Sequence, residues 1–380
     1  MDEKTKFIGV VKTKSMTVAE ACRRFSISRK SAYKWIGRFD KQGIAGLAEL
    51  SRRPKRAPSA IPKALSNKLI SLRKRRPRWG PSRNLAWLEK REPRLDLPAS
   101  STVGELFKRE GLILTRHRRR FPAKATPTNL QQPLAPNDLW CVDFKGDFIV
   151  DHRRCYPLTA TDAFSRFLLG CHALESTNTE GARPVFERLF QEYGLPAAIR
   201  SDNGPPFAST GLAGLSKLAV WWMRLGIRLE RIPPGKPQYN GQHERMHRTL
   251  KAEATKPPEK TFASQQRRFD DFRFDFNVER PHEALGNEMP ISVYSPSSRD
   301  FPSKLRELEY PGNYALRGIR TDGSIKWKSQ NFYVSAALIG EVVAVEEIDD
   351  RIWHLHFGSL LLGVIDGRAR GAIKLLPVPR

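Results

Sequence analysis

Asp143, Asp202 and Glu244 are the residues whose types and spacing allow chemistry in this 380-residue chain. Asp143 stands inside a strand-like run, Leu139-Trp-Cys-Val-Asp-Phe144. Strand side chains alternate, so Trp140, Val142 and Phe144 share one side and Cys141, Asp143 and Lys145 the other. Asp202 ends the short run from Ala197 and opens a sharp turn, Asp202-Asn203-Gly204; Glu244 falls on a helix read from about Gln238 to Ala254. By itself an aspartate before Asn-Gly is a turn former, and a glutamate on a cationic helix is a solvated partner. Three carboxylates converging at the edge of a mixed α/β sheet are different, because they attract hard cations that prefer oxygen, Mg²⁺ or Mn²⁺. Two such ions about 3.5–4 Å apart, sharing one aspartate, activate one oxygen and stabilise the leaving one in an in-line phosphoryl displacement.

The elements that must position these acids read as alternating strands and helices over residues 138–300. Pro157–Asp162 and Arg166–Leu174 join the first run as a three-stranded meander. A helix from Thr179 to Tyr193 buries Val185, Phe186, Leu189 and Phe190, and Ile227–Ile232 is a further strand. Asp162 is the decoy acid, either structural or a hydrogen-bond acceptor behind the site. Arg248 and Lys251 lie four and seven residues beyond Glu244 on the same helical face, suited to phosphates. His247 either shares that phosphate duty or is a plain surface histidine. After a Ser/Pro-rich break at Ser295–Ser303, residues 310–380 read as short strands: Tyr314–Arg320, Ile325–Lys328, Phe332–Val334, Glu341–Ile348 and Ile352–Phe357. With Thr321-Asp-Gly-Ser324 as a hairpin turn, they suggest a small all-β barrel.

Charge separates the front from the rest. The net charge is +26, and residues 1–130 hold 33 Lys and Arg against 10 Asp and Glu, leaving the remainder nearly balanced. Such an arm calls for a polyanion. Residues 1–60 carry a capping box at Thr17–Glu20, a helix striped by Val18, Cys22 and Phe25, a turn at Ser26–Ser28, and a second helix presenting Arg29, Lys30, Tyr33 and Lys34. Helix, tight turn and cationic second helix make a helix-turn-helix pattern. Residues 61–120 repeat it as a second helix-turn-helix or winged helix, with Leu65, Leu69 and Leu72 on one face and Leu85 and Leu88 buried. Its candidate DNA contacts are Arg75, Arg76, Ser100, Ser101, Arg118 and Arg119. Residues 121–137, with four prolines and no apolar period, read as a linker. No apolar run approaches the ~20 residues that span a bilayer, and the charged N-terminus reads as no secretory signal. Four cysteines without a C-x-x-C pair suit buried thiols in a reducing, cytoplasmic setting.

Context makes a resemblance specific. Trp-x-x-Asp-Phe at 140–144, Ser-Asp-Asn-Gly-x-x-Phe at 201–207 and Asn-Gly-x-x-Glu-Arg-x-His-Arg-Thr-Leu-Lys at 240–251 resemble the core of bacterial insertion-sequence transposases with a retroviral-integrase-type catalytic domain. Asn277-x-x-Arg280-Pro281-His282-x-x-Leu285 resembles a segment those enzymes carry after the core. The resemblance covers about residues 138–290, and the front helices extend it. It implies an RNase H-like core, Asp143, Asp202 and Glu244 as catalytic and metal-binding triad for two Mg²⁺ or Mn²⁺ ions, and an SH3-like C-terminal barrel. It further implies terminal inverted repeats and target DNA as double-stranded partners, a homo-oligomer on DNA, and 3′-end cleavage followed by strand transfer. The chain departs from retroviral integrases in lacking their N-terminal His/Cys zinc module. Two other readings stand beside it: a DNA-binding repressor derived from a transposase, and an RNase H-like nuclease without strand transfer.

Overall fold

The computed structural model describes residues 3–49, 61–113, 132–233, 240–305 and 307–367, and the backbone of 374–377. The chain divides into two compact units, Met1–Leu65 and Ser66–Arg380. In the first, α1 (Glu3–Lys12), α2 (Val18–Arg24) and α3 (Arg29–Gln42) enclose Phe7, Ile8, Ala21, Cys22, Ala32 and Leu47. Two local signals set these helices. Thr17 accepts from the Glu20 amide and Glu20 accepts back from the Thr17 amide at 3.0 Å, and Ser28 caps α3 from the Ser31 amide at 3.2 Å. The Phe7 ring meets Phe25 and Trp35 edge-on at 5.7 and 5.8 Å, worth about 1 kcal/mol per pair beyond burial. Arg29, Lys30, Tyr33 and Lys34 all face outward on α3.

The larger unit continues through α4 (Lys63–Arg75), α5 (Pro81–Arg91) and α6 (Ser100–Arg109). Leu69, Leu72, Trp79, Leu88, Val103 and Phe107 are buried between them, whereas Leu85, expected inside, is half-buried. The core then runs β1 (Trp140–Phe144), β2 (Phe148–Val150), β3 (Arg153–Asp162), β4 (Leu168–Leu174), α7 (Thr179–Tyr193), β5 (Ala198–Ser201), α8 (Lys217–Arg224), β6 (Arg228–Arg231), α9 (Gly241–Ala254) and α10 (Phe262–Phe274). The sheet order is β2-β3-β1-β5-β6, with β4 on β3. The β1–β3 and β3–β4 pairs are antiparallel, and β1–β5 and β5–β6 are parallel. This is the RNase H-like arrangement. One face packs Trp140, Val142, Leu158, Phe186, Phe190 and Trp222, and the other carries α9 and α10 over Val150, Cys155, Leu168 and Cys171.

Within the core, β2, α8 and α10 are additions to the sequence reading. The apolar run Leu218–Met223, far short of a membrane span, is α8, capped by Ser216 and buried on both sides. Its Trp221 and Trp222 enter the core, while Ala219 and Val220 pack against the C-terminal sheet. The end of the expected linker is built in as well. Asn137 is 5% exposed; its amide donates to Asp162 at 2.8 Å, its Nδ2 to the Ser295 carbonyl at 2.8 Å, and its Oδ1 accepts from Trp140 Nε1. The Ser/Pro-rich break is a strap on the core, held by Ser297 N to Tyr193 O at 2.8 Å and Leu195 N to Arg299 O at 2.7 Å. Residues 121–131 of the linker lie outside the described residues.

The C-terminal region is all-β: β7 (Ala315–Gly318), β8 (Ser324–Trp327), β9 (Gln330–Tyr333), β10 (Val342–Asp349), β11 (Ile352–Phe357), β12 (Leu360–Asp366) and β13 (Lys374–Pro377). Five strands order as β13-β12-β11-β10-β7, and β8 and β9 form a separate pair. The Thr321–Ser324 turn forms, with Arg320 N donating to Ser324 O at 2.9 Å, but its flanking strands enter different sheets. The two-residue hairpin sits at Lys328-Ser329 instead, both at positive φ. β12 and β13 lie beyond the strands read from sequence.

Candidate active site

Strand β1 carries Asp143 directly opposite Thr159 of β3. Burial first, then the charge of Asp202, push its carboxyl up to about 7; Glu244 adds to the rise, while the Phe144 amide and Lys145 oppose it. The three acids of the sequence reading therefore share one electrostatic site. Asp202 stands exposed just past β5, on a turn fixed by its neighbours. The Gly204 amide donates to Asp202 Oδ1 at 3.2 Å, and Asn203 Nδ2 donates to the Ile232 carbonyl at 2.7 Å. Phe207 anchors the far side, with ring centroids 6.0 Å from Trp222 and 5.7 Å from Phe144. A Cβ at position 204 would stand 3.2 Å from Asp202 Oδ2, so glycine leaves this carboxylate room. Glu244 is exposed in the first turn of α9.

Helix α9 is seated by Met246, Leu250 and Ala254, and by two residues of another kind. His243 and His247 are 2% and 5% exposed, so the surface reading of His247 is wrong: the helical spacing that places Glu244 outward turns both histidines onto β3. Thr159 Oγ1 donates to the Asp143 carbonyl at 3.0 Å, and His243 Nε2 and His247 Nε2 approach the same hydroxyl at 2.8 and 2.7 Å. A hydroxyl has one proton, so both imidazoles donate through Nε2. Thr161 Oγ1 then donates to His243 Nδ1 at 2.8 Å, and the bare Nδ1 of His247 faces Asp143 Oδ2 at 3.6 Å. This is no ion pair, because burial holds His247 neutral and pushes its pKa far down. The network ties the Glu244 helix to the strand bearing Asp143. The signal was legible: 243, 246, 247, 250 and 254 form one helical stripe, and Thr159 and Thr161 share a strand face.

A pH dependence follows. Burial lowers His243 from 6.5 to about 3, so it stays neutral in the fold while the unfolded chain takes a proton below 6.5. Stability is full above that pH and falls as pH drops, by up to about 1.4 kcal/mol per pH unit per imidazole. Asp143, raised in the fold, works in the opposite sense. Urea unfolding at pH 7 and 5.5 should show an acid loss that shrinks in the His243→Gln, His247→Gln double variant.

Among the described residues, two groups place three metal-type ligand atoms within 4.8 Å of one another: Asp143, His243 and His247, and Glu346, His354 and His356. The second is a cross-strand cluster in which His356 Nε2 already meets Glu346 Oε2 at 3.0 Å. Only the first touches the acids. Burial first, and then the charges of Asp202 and Glu244, raise the Asp143 carboxyl, and a hard divalent cation held by these carboxylates would offset that repulsion.

The other predicted contacts divide. Arg248 and Lys251 are exposed, at i+4 and i+7 from Glu244 on α9. Arg75 is exposed with its guanidinium 5.9 Å from the Trp87 ring, and Ser100 and Ser101 are exposed in the first turn of α6. Arg76 is engaged in an ion pair with Asp275. Arg118 and Arg119 lie outside the described residues. Arg76 belongs to a joint that sequence did not show. Trp87 Nε1 donates to Glu279 at 2.9 Å, Arg91 to Glu279 at 2.6 Å, and Arg83 Nε to the Pro281 carbonyl at 2.9 Å. The 277–285 motif is thus the seat of α5. Asn277 pins it to β4 through the Leu168 amide and carbonyl at 2.8 and 2.9 Å, and Arg280 pairs with Glu253 of α9 at 2.8 Å. Asp162, as the decoy reading allowed, is fully buried and accepts from Asn137 and Ser165, holding the β3–β4 turn.

Fold and site define a class. Residues 133–237 and 225–290 match two family models, both described as integrase core domain, and residues 1–48 and 31–107 match two described as homeodomain-like domain. The chain carries an integrase core behind homeodomain-like helix-turn-helix domains. Its relatives include insertion-element proteins. It is 27% identical over 248 residues to the insertion element IS407 uncharacterized 31.7 kDa protein of Burkholderia multivorans, covering 64% of this chain and 86% of that one. It is 27% identical over 278 residues to the IS476 uncharacterized 39.2 kDa protein of Xanthomonas euvesicatoria, covering 72% and 77%. The Gag-Pol polyprotein of baboon endogenous virus is 34% identical over 123 residues, 32% of this chain and 7% of that polyprotein. Among solved structures, the HTLV-2 integrase catalytic core domain in complex with magnesium aligns with 15% identity and a TM-score of 0.35, over 43% of this chain and 100% of that chain. No helix among the described residues is long and apolar enough to cross a membrane.

Proposed function

We propose that this chain is a DNA transposase that binds terminal inverted repeats, frees a 3′-hydroxyl at each end and joins it to target DNA. The observation that carries the reading is the electrostatic site of Asp143, Asp202 and Glu244, in which one carboxyl is held at about 7 by burial and its neighbours. Asp143, Asp202 and Glu244 would hold two Mg²⁺ or Mn²⁺ ions, which when bound supply charge neutralisation for in-line phosphoryl transfer. In the first step a water oxygen bonds to phosphorus and the 3′-oxygen leaves, ending as a 3′-hydroxyl opposite a 5′-phosphate. In the second that hydroxyl loses its proton and bonds to a target phosphorus, expelling the target's own 3′-oxygen. No covalent enzyme intermediate is needed. The residues of this chain fix where these steps occur: β1 and the Asn203–Phe207 turn hold two acids rigid, and His243 and His247 hold the third acid's helix. Arg248 and Lys251 carry phosphates of the DNA end beside Glu244.

Recognition falls to the basic front. Arg29, Lys30, Tyr33 and Lys34 on α3 enter the major groove, assisted by Arg75, Ser100, Ser101, Arg118 and Arg119. The protein works as a homo-oligomer on DNA in the cytoplasm, and the C-terminal strands form an SH3-like barrel that bridges protomers or meets DNA. Lys30→Ala with Lys34→Ala should weaken binding to the element's ends by about tenfold or more and flatten its salt dependence by about one unit of slope per lost phosphate contact. The test of the whole reading is incubation of the full chain and Mg²⁺ with duplexes spanning the inverted repeats that flank its gene. Nicks at the 3′ ends of the repeats support it; intact duplex, with the ends tightly bound, favours the repressor reading.

A further inference from the structure

Beside the acids, and not among them, lies a cavity of about 560 Å³ whose wall is dominated by guanidinium groups: Arg78, Arg83, Arg166, Arg245, Arg248 and Arg280. Its acidic lining residues are Asp162 and Glu253, and both are already engaged, Asp162 with Asn137 and Ser165, Glu253 with Arg280. So the cavity carries a strong excess of positive charge. His282 in the same wall is held neutral by burial, with the charges of Arg280, Arg83 and Arg166 lowering it further, to about 4.

Two observations mark this as a site and not a solvated patch. Arg280 is 4% exposed, yet its Nε has no hydrogen-bond partner among the described residues, and the buried Nη1 of Arg166 has none either. A buried, charged donor left without an acceptor is costly, and native structures rarely tolerate it. Arg166 also sits at φ 64 on the β3–β4 turn, a left-handed conformation an arginine adopts only at a cost of about 1 kcal/mol or more. The turn that imposes it is fixed by Asp162, whose Oδ2 accepts from the Ser165 amide at 2.7 Å. Strain and an unmet donor thus fall on one residue, which shares the cavity wall with Arg245.

We propose that this cavity binds a backbone phosphate of a DNA strand, adjoining the strand segment at the acids. This deepens the transposase reading and rests on its DNA-binding part, not on its strand cleavage. The chemistry fits a phosphodiester. Guanidinium forks pair phosphate oxygens bidentately, and Phe276, Met246 and Ala252 give an apolar wall for a sugar. Position fits as well, because Arg245 and Arg248 follow Glu244 by one and four residues on α9 and so reach from the acids into the cavity. The Asn277–Leu285 motif, which supplies Arg280, and α5, which supplies Arg83, then act together: the joint between α5 and the core forms the far wall of a DNA-binding pocket.

The experiment uses the full chain without divalent metal, so that no cleavage occurs, and measures affinity for a flanking-end duplex by fluorescence anisotropy across a salt series. Arg166→Gly keeps the left-handed turn without strain, and Arg245→Ala alters an exposed helix position, so neither threatens the fold. The pair should weaken binding about tenfold and reduce the slope of log Kd against log salt by about one to two. An unchanged affinity and slope would overturn the proposal. So would an unchanged slope combined with thermal stabilisation of the parent, but not the variant, by inorganic phosphate, which would make the cavity a site for a free anion. Because nothing here depends on strand cleavage, an enzyme that failed to cut DNA but lost salt slope through Arg166 would sink the transposase reading and leave this one standing.

Discussion

Asp143→Asn, Asp202→Asn and Glu244→Gln should each cut single-turnover cleavage by about a thousandfold or more, roughly 4 kcal/mol at about 1.4 kcal/mol per factor of ten, while end binding stays within about twofold. The substitutions are nearly isosteric, so shape is kept and only charge is lost. Asp202→Asn carries an internal control. Its charge is one of the influences that lift the Asp143 carboxyl, so its removal relieves repulsion and the thermal midpoint should hold or rise. Loss of rate with a fallen midpoint would point to a damaged fold. Retained cleavage by any one variant with Mg²⁺ would remove that residue from the triad.

The second large effect concerns residues that touch no substrate. His243→Ala leaves the Thr161 hydroxyl only its long contact to the Cys141 carbonyl at 3.5 Å and takes one partner from the buried Thr159 hydroxyl, at a cost of about 1–3 kcal/mol in stability. It also frees the first turn of α9, which carries Glu244. Cleavage should fall by about ten- to a hundredfold at saturating DNA, with little change in DNA affinity. His243→Gln, which can donate and accept within the same space, should recover part of the rate. A purely structural role would lower the midpoint equally in both variants and leave the rate of the folded fraction untouched.

Much of this site was legible because its signals are local. Alternation in Leu139–Phe144 separates Asp143 from the core side chains, Asn203-Gly204 announces the turn that lifts Asp202, and a helical period ties Glu244 to Arg248 and Lys251. Helix α7 was legible from its apolar stripe, from about Thr179 to Tyr193, as the structure has it. What failed to show was of two kinds. Short apolar runs such as Leu218–Met223 carry no periodicity that tells helix from strand, and α8 is helical through its Ser216 cap and its place between two cores. Long-range polar contacts leave no spacing at all. Trp87 with Glu279 and Thr159 with His243 lie far apart in sequence, so nothing marked the joint of α5 on the core. His247 was misjudged because a histidine on a charged helix reads as solvated until its stripe is drawn.

The measurement that reaches the central claim most directly is strand transfer by the intact protein. A duplex ending in the element's own repeat, already cut to expose its 3′-hydroxyl, is mixed with a supercoiled target plasmid, Mg²⁺ and either the parent chain or the Glu244→Gln variant. The account predicts joined products in which the labelled 3′ end is covalently attached to plasmid, formed by the parent and absent with the variant. Unjoined DNA with the parent, under conditions where both proteins hold the end, would contradict it.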